Sequence, residues 1–310
     1  MKACRGVAVI ETDALTKRYG SARGIDCISF EVEPGEVFGF LGSNGAGKTT
    51  TIRTLLDLLH PTSGSARLFG LDSHRDSVAI RARLGNLPGD FGYGKETTGR
   101  QALALLARLR GVDGLGRAEE LAARFHADLD RPLGQLSRGN RQKVGLIQAT
   151  FHRPELLILD EPTGGLDPLM QEEFLALVGA ERDRGCAVFF SSHELDEVER
   201  VCDRVAIIRE GRLVAVERIS DLLGKARRKV SVQLADPPAL RALSTVAGVS
   251  GLELSGDRAS FGFAGDIDPL VAALAGHHLL DLEVSRPTLE EVFLTYYQGD
   301  GPATADGGGG

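Results

Sequence analysis

Residues 42–50 have the composition and spacing of a loop that binds phosphate. They read Gly-Ser-Asn-Gly-Ala-Gly-Lys-Thr-Thr, so four residues separate two glycines and a Lys-Thr pair follows. Glycines let backbone N–H groups surround phosphate oxygens, because no Cβ stands in the way. Lys48 can reach the outer phosphates of a nucleoside triphosphate, and the Thr49 hydroxyl can ligate Mg²⁺. The residues predicted to contact the nucleotide here are Gly42, Ser43, Asn44, Gly45, Ala46, Gly47, Lys48, Thr49 and Thr50.

Two carboxylates at the end of an apolar run form a second chemical group. Residues 156–159 are Leu-Leu-Ile-Leu, and Asp160 and Glu161 follow directly. An acid at the carboxyl end of a buried strand faces the crevice in which α/β proteins bind ligands. Asp160 can therefore hold Mg²⁺ through its water shell, and Glu161 can orient or deprotonate an attacking water. A surface pair of acids, the alternative, fits poorly with so hydrophobic a run before Asp160.

The elements that must position these groups alternate as in an α/β protein. The run 37–41 leads into the glycine loop, and apolar residues follow Thr49 at helical spacing. Strand, glycine loop and helix are the order that a phosphate-binding loop requires. Residues 210–212, Glu-Gly-Arg, are typical of a tight turn between two strands. The predicted strands are residues 28–32, 37–41, 156–159, 188–191, 205–208 and 213–216.

Two later regions differ from this alternation. Residues from about 90 to 150 are rich in Ala, Leu and Arg with helical periodicity, which predicts a helical insertion. From residue 228 the order is strand, helix, strand, strand, helix, strand, with the first helix over 238–246, which indicates a small α+β ferredoxin-like domain. A last helix is predicted over 288–297. The predicted domains are a nucleotide-binding domain, 1–224, a small C-terminal domain, 225–298, and a disordered glycine-rich tail, 299–310.

Composition limits the class of protein. The chain has 310 residues, is 42% hydrophobic and carries a net charge of −7, which argues against a nucleic-acid-binding surface. No run approaches the roughly 18 apolar residues of a membrane span, and the first residues lack the apolar stretch of a signal peptide. Four cysteines show no metal-ligand spacing, and we expect Cys27 and Cys186 to be buried thiols. These features predict a cytoplasmic protein.

Four further motifs resemble those of the ATPase subunits of ATP-binding cassette (ABC) transporters. Residues 136–140, Leu-Ser-Arg-Gly-Asn, are similar to the signature motif of the family, usually Leu-Ser-Gly-Gly-Gln. Residues 163–167, Thr-Gly-Gly-Leu-Asp, resemble its D-loop. His193 resembles its switch histidine, and Tyr19 resembles the aromatic residue that stacks on adenine. Together with the glycine loop and the acidic pair, they occur in the order that the family shows.

The resemblance implies an α/β P-loop ATPase that acts as a head-to-tail pair. ATP and Mg²⁺ on one copy would be capped by the signature residues of a second copy, and hydrolysis would open the pair. It implies that His193 contacts the γ-phosphate and that the D-loop crosses the interface. The residues so assigned are Glu161 and His193 for catalysis, Thr49 and Asp160 for Mg²⁺, Asp167 for the D-loop, and Ser137, Arg138, Gly139 and Asn140 for the signature contact.

The chain departs from the family pattern in two places. Arg138 replaces a small signature residue and puts a positive charge near a phosphate, while Asn140 replaces glutamine with a shorter amide. The glutamine of the Q-loop is replaced by Gly89, which has no side chain with which to ligate Mg²⁺ or water. Asp90 is the alternative ligand in this loop.

Several segments resemble the exporter branch of the family, which serves drugs, antibiotics and lipids. They are residues 87–90, 139–143 and 286–293. With one P-loop, the chain resembles a half-system, in which two copies work with separately encoded polytopic membrane subunits at the cytoplasmic face of the cell membrane. A surface near Phe91 and Tyr93 would receive the membrane subunit. The alternative for these two aromatic residues is ordinary packing in the core.

The sequence argues against two other function classes. A soluble ABC ATPase acting on nucleic acid or the ribosome would carry coiled-coil or zinc insertions, or a second cassette, and the sequence shows none of these. A P-loop kinase or GTPase would lack the signature motif and the switch histidine. The sequence therefore favours a transporter ATPase without a nucleic-acid partner.

Overall fold

The computed structural model describes residues 7–298 except 21, 90, 91, 93, 226, 286 and 287. The predictions for Asp90, Phe91, Tyr93 and the tail 299–310 lie outside these residues. Contacts divide the chain into two units, Met1–Arg218 and Ile219–Gly310. The boundary predicted at 224/225 needs correction, because it falls at the end of a helix, Ile219–Lys225, that belongs to the second unit.

The described strands of the first unit form two sheets. One is a four-stranded antiparallel sheet of order β2-β1-β4-β5, and the other is a six-stranded sheet of order β10-β9-β3-β8-β7-β6. The strands are β1 (Ile10–Tyr19), β2 (Ala22–Val32), β3 (Val37–Leu41), β4 (Ser63–Leu68), β5 (Leu71–Asp72), β6 (Leu84–Leu87), β7 (Leu156–Asp160), β8 (Ala187–Ser192), β9 (Arg204–Arg209) and β10 (Arg212–Arg218).

The six-stranded sheet is mixed, and it confirms the predicted α/β core. Strands β9, β3, β8, β7 and β6 run parallel, and β10 pairs antiparallel with β9. Every residue of β3, β7 and β8 is buried, as expected for parallel strands with both faces covered. The tight turn predicted at 210–212 joins β9 to β10. Because the carboxyl ends of β3, β7 and β8 meet at one edge, their loops lie together.

Aromatic rings pack the two sheets of this unit against each other. Phe30 of β2 stacks on Phe38 of β3 at 5.4 Å and on Phe189 of β8 at 5.6 Å between ring centroids. Phe40 of β3 packs against Phe189 at 5.4 Å. Such pairs add about 0.5–1.5 kcal/mol each beyond the apolar area they bury. This cluster fixes β3, which ends at the glycine loop, against β8.

Seven described helices complete the first unit. The insertion predicted over residues 90–150 contains three of them and a short 3₁₀ helix, Leu133–Gln135. A capping box, in which Thr98 and Gln101 bond each other's backbone N–H groups, begins the first helix of the insertion. The helices are α1 (Lys48–Leu55), α2 (Ser77–Arg83), α3 (Gly99–Arg110), α4 (Gly116–Arg124), α5 (Arg138–Thr150), α6 (Pro168–Asp183) and α7 (Leu195–Val201).

The second unit has its own sheet and core. Its elements are α8 (Ile219–Lys225), β11 (Arg228–Leu234), β12 (Val249–Ser255), β13 (Arg258–Phe263), α9 (Asp268–Leu274), β14 (Leu279–Ser285) and α10 (Leu289–Gln298). The sheet is antiparallel, with the order β12-β13-β11-β14. The helix predicted over 238–246 is instead a 3₁₀ helix, Pro237–Thr245, which begins with two prolines. The core of the second unit includes Val230, Val232, Phe261 and Phe263.

Of the two cysteines predicted to be buried, one is buried and one is exposed. Cys186 is buried, as expected, and burial raises the pKa of its thiol to about 12. Cys27 is exposed, so the prediction for it was wrong. The pairing of β1 with β2 is irregular between Ile25 and Ile28, and this bulge turns the Cys27 side chain outward. Within the described part of the chain, every helix is too short or too polar to cross a bilayer.

Candidate functional site

The glycine loop joins β3 to α1, and its shape depends on glycine. Gly47 caps the N-terminus of α1 with φ 116°, a left-handed conformation that would be strained for a residue with a side chain. A Cβ there would also lie 2.9 Å from Ile25 Cγ2. Ala46 and Gly42 form the buried side of the loop, and the Ala46 carbonyl accepts the Gly211 N–H at 2.8 Å. The loop thus presents the first backbone N–H groups of α1 to an anion.

Lys48 lies in the first turn of α1 with its side chain buried. Its Nζ donates to the Gly42 carbonyl at 2.6 Å and lies 3.1 Å from Glu161 Oε1. A buried ammonium needs such partners, because water no longer solvates it. Its position beside the loop lets it exchange the carboxylate for a phosphate oxygen.

A hydrogen-bonded chain connects the loop to the ends of β7 and β8. The Thr49 hydroxyl donates to Asp160 Oδ2 at 2.8 Å, and the Ser191 hydroxyl donates to Asp160 Oδ1 at 2.6 Å. Asp160 is buried, so both carboxylate oxygens are held in fixed directions. Thr49 and Asp160 present the oxygen ligands that Mg²⁺ prefers.

Glu161 follows β7 and is fixed by backbone and side-chain contacts. Its φ is 49°, a conformation that non-glycine residues seldom adopt and that often accompanies functional sites. Its N–H donates to the Ser191 hydroxyl at 3.1 Å, and Gln142 Nε2 donates to its carbonyl at 3.1 Å. Its Oε2 accepts from His193 Nδ1 at 2.6 Å. The side chain therefore bridges Lys48 and His193.

Ser191 and Gln142 are site residues that the sequence reasoning missed. Ser191 pairs with Asp160 in the sheet and bonds both acidic residues. A polar residue ending the very hydrophobic run of β8 was the available signal for Ser191. No local sequence pattern identifies Gln142. It lies on α5, and its Nε2 donates to the backbone carbonyls of Glu161 and Pro162.

An open cleft of about 200 Å³ lies above the loop. Tyr19, predicted to stack on adenine, is the last residue of β1 and is 43% exposed. A Cβ on Gly24 would lie 3.3 Å from Tyr19 Cδ2, so the tyrosine borders the cleft beside Gly24. The residues that line the cleft are Gly24, Ser43, Asn44, Gly45, Gly47, Lys48, Thr49, Thr50 and Glu161.

Gly89 lies against Asp160. A Cβ at Gly89 would be 3.2 Å from Asp160 Oδ2, the oxygen that accepts the Thr49 hydroxyl. The loop after β6 therefore reaches the predicted Mg²⁺ ligands, and glycine leaves them space. Asp90, the alternative ligand, lies outside the described residues.

The signature residues begin α5. Ser137 caps this helix by accepting the Asn140 N–H at 3.3 Å, and it is exposed. A Cβ on Gly139 would lie 2.4 Å from the Gly165 carbonyl oxygen, so the helix packs closely on the D-loop. The Arg138 side chain also packs on the D-loop, because a Cβ on Gly165 would be 3.4 Å from Arg138 Cγ. Among the described residues, none of residues 137–140 lines the cleft.

The D-loop residue Asp167 is exposed and caps α6 by accepting the Met170 N–H at 3.0 Å. Just before it, the Thr163 hydroxyl donates to the buried Glu197 at 3.0 Å. Burial raises the pKa of Glu197, although hydroxyl groups of Thr163 and Ser192 oppose the shift. This contact ties the start of the D-loop to α7, which follows His193.

The sequence model of the ABC transporter family matches residues 25–164. The bacitracin transport ATP-binding protein BcrA of Bacillus licheniformis is 38% identical over 232 residues, which are 74% of this chain and 76% of that protein. The chain belongs to the ATP-binding proteins of the ABC transporter family. As such it binds and hydrolyses ATP.

Two further comparisons extend this assignment for the ABC ATPase. The daunorubicin resistance ATP-binding protein DrrA3 of Streptomyces coeruleorubidus is 34% identical over 298 residues, 92% of this chain and 94% of that protein. A solved ATP-binding subunit of an ABC transporter superposes with a TM-score of 0.64 at 29% identity, covering 69% of this chain and 91% of that one. BcrA and the solved subunit are named as parts of transporters, and none of the three relatives supports a nucleic-acid or ribosome role.

Proposed function

We propose that this ABC ATPase powers an exporter of drugs, antibiotics or lipids through separately encoded membrane subunits. The observation that carries the proposal is the match to DrrA3 over 92% of the chain, because it includes the C-terminal unit as well as the cassette. BcrA, named for bacitracin transport, supports the same branch. The chain has one phosphate loop, so two copies would supply two ATP sites.

ATP binding at the cleft fits the groups present there. The left-handed Gly47 opens the N-terminus of α1, and the buried Lys48 is held by partners that a phosphate can replace. Residues 42–50 would surround the phosphates, and Tyr19 would stack on adenine. Thr49 and Asp160 would hold Mg²⁺, which would neutralise negative charge on the phosphates. Gly89 leaves space for this shell beside Asp160, and Asp90 is the further candidate ligand.

Glu161 is the proposed base in hydrolysis. ATP supplies the phosphoryl group that is transferred to water. When a phosphate takes Lys48, Oε1 of Glu161 loses its ammonium partner and becomes the free acceptor for the proton of that water. His193 Nδ1, at 2.6 Å from Oε2, keeps the carboxylate in one orientation. Because His193 is half exposed, it can also face the γ-phosphate.

A second copy of the chain would complete each site. The exposed Ser137 and the first N–H groups of α5 form a further helix N-terminus suited to a phosphate. Since residues 137–140 do not line the cleft of their own chain, the γ-phosphate of a partner copy is their proposed ligand. The exposed Asp167 would then face the interface. Arg138, packed beside Gly165, would bring its charge there together with the D-loop.

The remaining proposals concern the second unit and the location. We propose a ferredoxin-like domain for residues 227–285, which is supported by the strand order β12-β13-β11-β14 and by the two helical segments Pro237–Thr245 and Asp268–Leu274. We propose a role in dimerisation or regulation for this unit, because the residues that line the nucleotide cleft all belong to the first unit. The protein would lie at the cytoplasmic face of the membrane, held there by its polytopic partners.

Co-purification tests the exporter proposal directly. The full chain is captured from its native membrane in detergent, and the bound proteins are identified by mass spectrometry. The expected partner has about six spans, and the complex should show vanadate-sensitive ATPase activity that Glu161→Gln abolishes. Capture of ribosomes, DNA or a soluble protein alone would overturn the exporter assignment and leave the ATPase assignment intact.

A further inference from the structure

A group of metal-ligand side chains lies outside the nucleotide cleft. Asp57, His60 and His74 come from two segments of the first unit, and their ligand atoms all lie within 4.8 Å of one another. His60 Nδ1 is 3.2 Å and His74 Nδ1 is 2.8 Å from the same atom, Asp57 Oδ1. None of the three takes part in the proposed reaction.

The backbone fixes the three residues in place. Asp57 has φ 56°, and the next N–H, of Leu58, donates back to the Arg53 carbonyl at 2.9 Å, which ends α1 tightly. The His60 carbonyl accepts from Lys17 Nζ at 2.7 Å. On the other segment, Asp72 Oδ1 accepts the N–H of His74 at 3.0 Å. The convergence therefore follows from turn geometry on both sides.

We propose that Asp57, His60 and His74 bind Zn²⁺, with water as a fourth ligand. Zinc takes imidazole and carboxylate ligands at about 2.0–2.2 Å in a tetrahedron, which places neighbouring donors about 3.3 Å apart. The two distances to Asp57 Oδ1 are close to this value. The imidazoles are exposed, at 69% and 62% of their side chains, so small rotations can complete the geometry and an ion can enter.

The ligand types in the group suit one divalent ion of this type. Asp57 is largely buried, at 12% exposure, and its other oxygen, Oδ2, lies 3.8 Å from Arg81 Nη2. That contact leaves Oδ1 for the metal. Two imidazoles and one carboxylate favour zinc over Mg²⁺ or Ca²⁺, which prefer oxygen ligands only.

A bound zinc ion would connect the end of α1 to the turn that precedes α2. Helix α1 begins at the phosphate loop, so the ion would fix the far end of the helix that carries Lys48 and Thr49. The site is distinct from the Mg²⁺ ligands, and its existence does not depend on the proposed export function.

Zinc titration of the full, untagged chain tests the proposal. After chelator treatment, Zn²⁺ alone is added without nucleotide, and binding is measured by calorimetry. The native chain should bind one more equivalent than His60→Ala/His74→Ala, or bind that equivalent at least tenfold more tightly. His277→Ala/His278→Ala removes two adjacent exposed histidines elsewhere and should bind like the native chain. Equal zinc binding by native and His60→Ala/His74→Ala chains would overturn the site.

Two further measurements separate coordination from a simple hydrogen-bonded cluster. Co²⁺ in place of Zn²⁺ should give the intense visible bands of a four-coordinate ion in the native chain, and these should be lost in Asp57→Asn. Zinc should also raise the melting temperature of the native chain and leave that of Asp57→Asn unchanged. Weak bands of a six-coordinate Co²⁺ ion, or equal shifts of the melting temperature in both chains, would show that the three residues form only a hydrogen-bonded cluster.

Discussion

The side chains of Lys48 and Glu161 form an ion pair, with Nζ and Oε1 3.1 Å apart. The residue proposed to bind the γ-phosphate therefore neutralises the residue proposed to activate water. A phosphate entering the cleft competes with Glu161 for the ammonium group. In this proposal, nucleotide binding and release of the base are one exchange of partners at Lys48.

Glu161→Gln should separate binding from hydrolysis. The amide cannot accept the proton of water, so ATP hydrolysis should slow by roughly 10²–10⁴-fold, the usual contribution of a general base. ATP should bind the variant at least as tightly as the native chain. In the native chain Lys48 must give up an ion pair with the Glu161 carboxylate when it binds a phosphate, and the glutamine variant has no such ion pair. Phosphate release and size-exclusion chromatography with ATP would measure the rate and the accumulation of dimers. Glu194→Gln, at the other nitrogen of His193, is the matched control, and an equal loss there would remove Glu161 from this role.

Lys48→Ala should weaken ATP binding. Loss of a charge-assisted hydrogen bond costs about 1.5–3 kcal/mol, which corresponds to roughly 10- to 150-fold in the dissociation constant. Arg53→Ala changes an exposed cation in the last turn of the same helix and should have little effect. Fluorescent ATP titration of both variants, with circular dichroism to verify folding, provides the comparison. Unchanged affinity in Lys48→Ala would contradict the assignment of the phosphate loop.

Gly89→Ala should impair the use of Mg²⁺. The added methyl group would lie 3.2 Å from Asp160 Oδ2 and push on a ligand that also holds Thr49. We expect the Mg²⁺ concentration for half-maximal ATPase activity to rise several-fold. Gly92→Ala is the control, since its Cβ would enter open space. The same Mg²⁺ dependence in both variants would show that Gly89 is not needed for this shell.

A chain that ends at Arg218 should keep nucleotide binding. The loop, the acidic pair and His193 all lie in the first unit, which has its own core. Isothermal titration with ATP should give a dissociation constant within a few-fold of that of the full chain. Loss of binding in a truncated chain that remains folded by circular dichroism would mean that the second unit supports the site.

His152 should make the fold sensitive to acid. Burial, assisted by the nearby Arg110, lowers the pKa of His152 from 6.5 to about 4. The unfolded chain therefore takes up a proton near pH 6.5, while the folded chain resists it until about pH 4, so stability falls as the pH drops through this window. His152→Gln keeps an N–H donor for the Leu84 carbonyl and should flatten this dependence in urea unfolding. His277→Gln, an exposed control, should keep the native slope.

The sequence predicted the elements that carry strong patterns. Residues 37–41 and 156–159 are continuous apolar runs, and both are buried strands of the central sheet. The strands β4 to β6 were not predicted, for a physical reason. In β4, Ser63–Leu68, only Ala66 and Leu68 are buried, so the strand has almost no hydrophobic signal.

Within the site, motifs predicted chemistry but not contacts between distant residues. The glycine loop and the acidic pair were identifiable because a close approach of the backbone and the proposed Mg²⁺ ligation each restrict the residue type. That Lys48 would pair with Glu161, or Gln142 with the Glu161 carbonyl, depends on tertiary packing. Arg138 is the clearest example, since its sequence position suggested a phosphate, while in the fold its side chain lies beside Gly165.

Gly139 carries two separate constraints. Its close approach to the Gly165 carbonyl leaves no room for a side chain within one subunit, whatever nucleotide a neighbouring subunit holds. Even alanine at this position would push the start of α5 away from the D-loop. Residue 139 should therefore remain glycine even in lineages that have lost ATP turnover, because the packing constraint does not depend on nucleotide. Residues 138 and 140 should vary more freely in those lineages.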